Sequence, residues 1–213
     1  MEIYKTFDEN FKLVGTATSS DVHSRGLWHE TFHCWLFKVD DQNTPKLIFQ
    51  LRAPTKKLFA NFLDITAAGH LLESEMPLDG VREIEEELRL KVNKNDIISL
   101  GVRPDMAKIG EITNKEFCHT YLYRYHGNVS DIDFNADEVF GLVEVSVGDG
   151  IRLFSGEVPE IHGTGIAIGE NGQRESISFR VARENVIPRI DRYYLKVLLN
   201  VQNAVQDGKY FAI

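Results

Sequence analysis

Apolar positions along the chain recur in two rhythms. Alternation, or a dense run of β-branched and aromatic residues, marks strands; spacings of three and four mark helices. Residues 2–7 and 11–16 (EIYKTF and FKLVGT) read as a short hairpin turned by Asp8, Glu9 and Asn10. Ser19 or Ser20 is placed to cap a short helix over 21–26. The run HETFHCWLFKV (29–39) is apolar and aromatic enough for a central strand, and after a DDQNTP turn LIFQLRA (47–53) completes a hairpin. Residues 62–68 form a strand that delivers Gly69, where a glycine lets the backbone approach a ligand closely. Further strands are predicted over 97–102, 117–124 and 139–145, with loops over 105–113 and 125–137. Ser146 is placed to cap a short helix reaching Phe154, and 161–168 with 176–181 make a second hairpin around Glu170, Asn171 and Gly172. The spacing over 187–205 predicts a long amphipathic helix, with Pro188 in its first turn and Ile190, Tyr194, Val197, Leu198, Val201 and Val205 inward. Strands and helices mix without regular alternation, which predicts an α+β domain: a mixed sheet between helices, an α/β/α sandwich.

One stretch breaks the pattern. Residues 69–90, GHLLESEMPLDGVREIEEELRL, hold seven acids in 22 positions. Pro77 suits a first helical turn, and Leu78, Val81, Ile84 and Leu88 make one apolar face. Glu83, Glu86 and Glu87, at i, i+3 and i+4, share the other. Three crowded carboxylates repel, and helix stability does not ask for them. A hard divalent cation resolves the repulsion, because Mg²⁺ and Mn²⁺ prefer oxygen ligands and bridge phosphates. Arg82 stands four residues before Glu86, within reach of an ion pair that orients it. The alternative is a solvated acidic face. Lys46, Arg52, Lys56 and Lys57 cluster just ahead of this stretch, and Arg52, Lys56 and Lys57 are candidates for meeting substrate phosphates, with loop solubility the alternative for any one of them.

Composition narrows the picture. The 213 residues carry a net charge of −8 with 43% hydrophobic content, ordinary for a globular chain and opposed to a nonspecific nucleic-acid binder. No apolar run reaches the ~20 residues of a membrane span. The N-terminus shows no signal-peptide pattern. Cys34 and Cys118 lie in strand-like runs, so reduced buried thiols and a cytoplasmic location are expected.

The acidic stretch resembles the Nudix box, in which a glycine is followed by a glutamate and then by Arg-Glu-apolar-any-Glu-Glu-any-Gly. Gly69, Glu75 and Arg82-Glu83-Ile84-Glu85-Glu86-Glu87 carry the likeness. Two positions depart from it: six residues, not seven, separate Glu75 from Arg82, and Arg89 replaces the late glycine. The resemblance implies a Nudix fold over 1–213, with a core at 29–155, an N-terminal extension 1–28 and a C-terminal hairpin and helix 156–213 that complete the core or form a dimer surface. It implies Mg²⁺, with Mn²⁺ as an alternative, on Glu83, Glu86, Glu87 and the backbone carbonyl near Gly69, and hydrolysis of a small-molecule diphosphate. Arg82 orients Glu86, Glu75 supports the loop or a water-mediated metal contact, and the general base is Glu86, Glu87, Glu116 or Glu138, with Glu116 favoured for opening a strand after a loop.

Within that superfamily the chain is similar to the branch of isopentenyl-diphosphate isomerase and its hydrolase relatives, through LWHETFHCWLF (27–37), Gly69-His70 and NKEFC (114–118). The isomerase binds a metal at positions matching His23, His29, His70, Asn114 and Glu116, and uses a cysteine where this chain has Ala68. Asparagine removes one ligand, and alanine removes the carbon-protonating group. That favours hydrolysis, with an isomerase-like enzyme or a non-catalytic nucleotide-sensing module as alternatives.

Overall fold

The computed structural model describes residues 1–110 and 112–213, with the side chains of Ile109 and Ile112 not described. Its organising strand is β3 (Trp28–Val39). Phe32, Cys34 and Leu36 point to one side of it, Trp35 and Phe37 to the other, and all five are buried. A strand that buries both faces must lie between two layers. The next strand, β4 (Pro45–Arg52), pairs antiparallel with β3 and repeats the division: Leu47, Phe49 and Leu51 join Trp35, while Ile48 joins Phe32.

The layers are helical. On the Phe32 side lies α2 (Arg82–Leu88), which buries Ile84 and Leu88. On the Trp35 side lie α3 (Val147–Ser155) and α4 (Tyr193–Val205), contributing Leu153, Val197, Leu198 and Val201. Each such side chain, fully buried, adds roughly 1.5–3 kcal/mol. A short α1 (Ser19–Arg25) follows the N-terminal hairpin of β1 (Ile3–Phe7) and β2 (Leu13–Thr18).

The remaining strands are β5 (Leu63–Asp64), β6 (Ala67–His70), β7 (Ile97–Ile109), β8 (Ile112–Arg124), β9 (Val139–Ser146), β10 (Glu160–Ile168) and β11 (Arg174–Ala182). They form one sheet with the main order β11-β10-β9-β4-β3-β1-β2. β8 runs parallel to β3, with Trp28 opposite Lys115 and Phe37 opposite Arg124; that pairing makes the sheet mixed. β6 pairs with β3 on its other side, which sets Gly69 opposite Phe32. The expected mixed sheet between helices is therefore present.

Several local expectations change. Residues 105–113 are not a loop: β7 and β8 continue as a long hairpin in which Asp105 faces Glu116, with Glu111 of that span outside the described residues. Helix α1 is capped by Thr18, whose hydroxyl accepts from the Asp21 N–H at 3.2 Å, rather than by Ser19 or Ser20. Ser146 precedes α3 without a side-chain cap bond. Over Pro77–Val81 the chain is a 3-10 turn, so Leu78 is exposed, while Ile84, Leu88 and the partly buried Val81 hold the apolar face. Gly80 makes the tight turn possible, since a Cβ there would lie 2.4 Å from the Phe32 side chain.

Helix α4 starts at Tyr193, six residues after the expected position. Asp191 and Arg192 both take positive φ (64° and 53°), so the chain bends sharply before the helix begins. Segment 187–190 is not helical. Pro188 is outside the helix, and Ile190 is exposed instead of inward.

Arg89 ends α2 in the left-handed conformation, φ 51° and ψ 22°. A Cβ costs roughly 1–2 kcal/mol there, and glycine returns part of that gain to unfolded-chain entropy. Arg89→Gly is expected to raise stability by up to about 1 kcal/mol, read as a higher urea midpoint with an unchanged slope.

Candidate active site

A cleft of about 1050 Å³ opens along the edge of α2 and runs to the N-terminal hairpin. Its acidic end is built by β6 and α2. Gly69 lets the helix close in: a Cβ there would sit 2.1 Å from the Glu83 carboxyl carbon. Glu87, one turn on, is buried, and its Oε2 accepts from the Ala68 N–H at 3.3 Å and from Gln50 Nε2 at 3.5 Å. Gln50 reaches it because it shares the Ile48 face of β4. Glu86 is exposed and turned to Arg82, Nη1 to Oε2 at 3.2 Å. The three acids are thus not one solvated face: Glu87 lies in the interior and Glu86 outside.

Burial pushes the Glu83 carboxyl up to about 7, with Arg82 opposing and Glu86 adding to the rise. Burial and then the nearby Glu83 lift Glu87 well above the carboxylate range. These two acids lack sufficient countercharge from the protein. An all-oxygen donor set around a carbonyl-bearing strand fits a hard dication, whose charge would offset both shifts.

Arg82 does more than orient Glu86. It donates to Glu75 through Nε (2.5 Å) and Nη2 (3.2 Å), to the His70 carbonyl (2.9 Å), and pairs with Glu83 at 2.6 Å. Glu75 also accepts from the Leu72 N–H at 2.8 Å. Burial alone would raise Glu75, but Arg82 and that N–H hold it below its ordinary value. Glu75 therefore braces the loop, the first of its two expected roles.

The other end of the cleft is lined by Glu2, Tyr4, His23, His70, Asn114 and Glu116. One ligand atom each from His23, His29 and His70 lies within 4.8 Å of the others. Tyr4 of β1 stacks on His70, centroids 4.9 Å apart. The Nε2 atoms of His29 and His70 are buried without a hydrogen-bond partner. Burial holds His70 down to about 4 and lowers His29 as well. Glu116 is buried beside them; burial would raise it, but Arg189 and then His33, His70 and His29 hold it at about 2. Asn114 donates to its Oε1 at 2.7 Å.

Between the ends runs a charged wall. Arg52 donates to Asp64 (3.0 Å) and to the Leu58 carbonyl (3.3 Å), and Lys56 pairs with Glu138. Both line the cleft, yet both are committed to partners of their own chain. Lys57 is exposed and is not among the lining residues. Lys46 pairs with Asp40 at the far end of β4. Sequence reasoning missed Asp64, Asp105 and Arg189, which complete the wall. Arg189 carries no sequence signal, because the spacing of its segment predicts helix, and Asp105 falls in a predicted loop.

No family model matches the chain. It is 34% identical over 197 residues to an uncharacterized Nudix hydrolase of Clostridium acetobutylicum, covering 92% of this chain and 95% of that relative. It is 32% identical over 105 residues to Nudix hydrolase 3 of Arabidopsis thaliana, covering 48% of this chain and 13% of that much longer protein. Among solved structures, one from Deinococcus radiodurans superposes with a TM-score of 0.55 at 19% identity, covering 73% of this chain and 90% of that one, which establishes a shared fold. Full-length likeness to the clostridial relative, with the box residues converging on one cleft, makes this chain a member of the Nudix hydrolase family.

Proposed function

We propose that this single-domain Nudix chain is a Mg²⁺-dependent hydrolase that cleaves the diphosphate linkage of a small molecule, a nucleoside diphosphate or a related compound. The observation that carries it is the pair Glu83 and Glu87, pressed against Gly69 and Ala68 inside an open cleft, where Arg82, the cation paired with Glu83, is shared with Glu75 and Glu86. Glu83, Glu87, Glu86 once released from Arg82, and the carbonyl at Ala68–Gly69 would hold the metal; Mn²⁺ suits the same donors. Bound there, Mg²⁺ supplies charge neutralisation for the diphosphate and lowers the pKa of a coordinated water.

The protein's own groups do the rest. Arg82 keeps the helix start and the box loop in register through Glu75 and the His70 carbonyl. Lys56 exchanges Glu138 for a substrate phosphate, and Arg52 fixes the wall beside it. Glu116 accepts the proton of the attacking water. In the free protein Arg189, His33, His70 and His29 hold it ionised, the state a proton acceptor needs. Lys57 has no part. An acidic chain with an acidic cleft fits a metal-complexed small molecule rather than a nucleic-acid polymer. No helix among the described residues is long and apolar enough to cross a membrane; the cytoplasm is the proposed location.

The test is phosphate release from a panel of diphosphates with and without Mg²⁺, with isopentenyl diphosphate included and its product checked for isomerisation. Metal-dependent cleavage is the expected result. Isomerisation without cleavage, or binding without turnover, sinks the assignment.

A specific observation favours a second cation at the histidine end: two orphaned buried imidazole nitrogens beside a third imidazole. Nitrogen ligands favour a transition metal over Mg²⁺. Equilibrium dialysis against Co²⁺ is expected to retain one ion that the His29→Ala/His70→Ala variant loses. Equal retention by that variant removes this reading.

A further inference from the structure

The cleft wall contains a cation, Arg189, that lies far from the Nudix box in sequence and takes no direct part in the proposed reaction. Arg189 stands on the non-helical segment 187–190, held in place where the Ile187 N–H donates to the Leu63 carbonyl at 3.0 Å. Its Nη2 lies 3.3 Å from Asp64 Oδ1. Its Nη1 lies 2.9 Å from Asp105 Oδ2 and 3.7 Å from Glu116 Oε2.

The arginines here are not interchangeable. Asp64 has Arg52 as a partner of its own at 3.0 Å, and Asp105 has Arg103 at 3.2 Å. Among the described residues Arg189 is the one arginine or lysine within ion-pair distance of Glu116. Glu116 is 7% exposed, so bulk solvent does little to offset its charge. Its Oε1 is taken by Asn114, and its Oε2 faces Arg189 and the weak Cys118 thiol donor at 3.7 Å. Arg189 is itself clamped, by Asp64 on one side and Asp105 on the other, so it is a fixed point of reference. Arg103 secures the same segment by donating to the Ile190 carbonyl at 3.2 Å.

We propose that Arg189 is the positioning residue for Glu116, and that segment 187–190 is thereby a working part of the active site, an inference that rests on the assignment of Glu116 to the reaction. Without Arg189, Glu116 keeps only Asn114 and the thiol and loses its orientation toward the cleft. The box acids and Lys56 are untouched, so phosphate binding persists while turnover falls.

The experiment is a double-mutant cycle of Arg189→Gln and Glu116→Gln, run with Mg²⁺ and whichever panel diphosphate the wild type cleaves fastest. Calorimetry with imidodiphosphate reads phosphate binding separately. Arg189→Gln is expected to lower kcat roughly 10- to 100-fold, with KM and imidodiphosphate affinity changed less than about threefold. The double variant should be no slower than Glu116→Gln alone, because both changes remove one function. Arg189→Lys should recover part of kcat, and it carries the cycle if Arg189→Gln does not fold. Multiplying losses in the double variant, or a loss confined to KM and imidodiphosphate binding, overturns the proposal while leaving the hydrolase assignment intact. A wild type that cleaves nothing, or a Glu116→Gln variant at wild-type rate, overturns the assignment beneath it and this role with it.

Discussion

Glu87→Gln is expected to fold, to melt at a higher temperature than wild type without metal, and to cleave diphosphates about 10³-fold more slowly. The rate follows from the size of a metal's contribution, several kcal/mol of charge stabilisation, at about 1.4 kcal/mol per tenfold. The stability gain follows from burial. Glu87 is shielded from water and its neighbours add negative charge, Glu83 foremost, so its ionised form is disfavoured in the fold. Glutamine keeps an oxygen to accept from the Ala68 N–H and removes the charge. The two effects have opposite signs, which separates loss of a functional group from damage to the fold. Glu86→Gln should lose activity without the stability gain, because Glu86 is exposed and already paired with Arg82. Phosphate release and thermal melts on the same preparations read both quantities. Wild-type turnover in Glu87→Gln would remove the helix acids from the mechanism.

The acidic end of the site was legible in the sequence because it is local. Gly69, Arg82 and the glutamates lie within a few turns of one another, and helical spacing alone places Glu83 and Glu87 one turn apart. What spacing could not show was that Glu87 falls between the solvated and apolar faces and ends up buried against Gln50. The sheet's layers were legible for the same reason: alternation in β3 assigns both faces. The rest depends on long-range pairing. Asp105 reaches Glu116 only because β7 and β8 extend through a stretch whose polar composition reads as loop. Arg189 reaches the cleft only because Asp191 and Arg192 adopt left-handed backbone, a conformation aspartate tolerates but arginine does not announce. The histidine end needed three segments, α1, β3 and β6, brought together, and a resemblance was required to suspect it. Lys57, chosen for proximity in sequence, shows the converse: a neighbour along the chain that the fold leaves outside.

Metal-free stability should depend on pH through two opposing sets of groups, and Mg²⁺ should cancel one of them. Glu83 titrates at about 7 in the fold against 4.5 as its ordinary value. Its contribution is fully present below pH 4.5 and is lost as pH rises through 7, amounting to about 3 kcal/mol; Glu87 acts in the same direction. The histidines act oppositely. His70 titrates at about 4 and His33 at about 3, both pushed down by burial from 6.5. Their contribution is present above pH 6.5 and is lost as pH falls toward those values. The wild-type curve alone therefore conceals the acids, and the informative quantity is the difference between Glu83→Gln and wild type. Without metal that difference should grow in the variant's favour from pH 4.5 to 7 and then level off. With Mg²⁺ it should shrink to near zero, since a ligand at 100 times its Kd stabilises by about 2.7 kcal/mol only the protein that binds it. Denaturant melts across this range, with and without Mg²⁺, measure it. A difference flat in pH would mean that Glu83 has its countercharge in Arg82 already. A difference that grows with pH but ignores Mg²⁺ would leave the strained acids real and place the cation elsewhere.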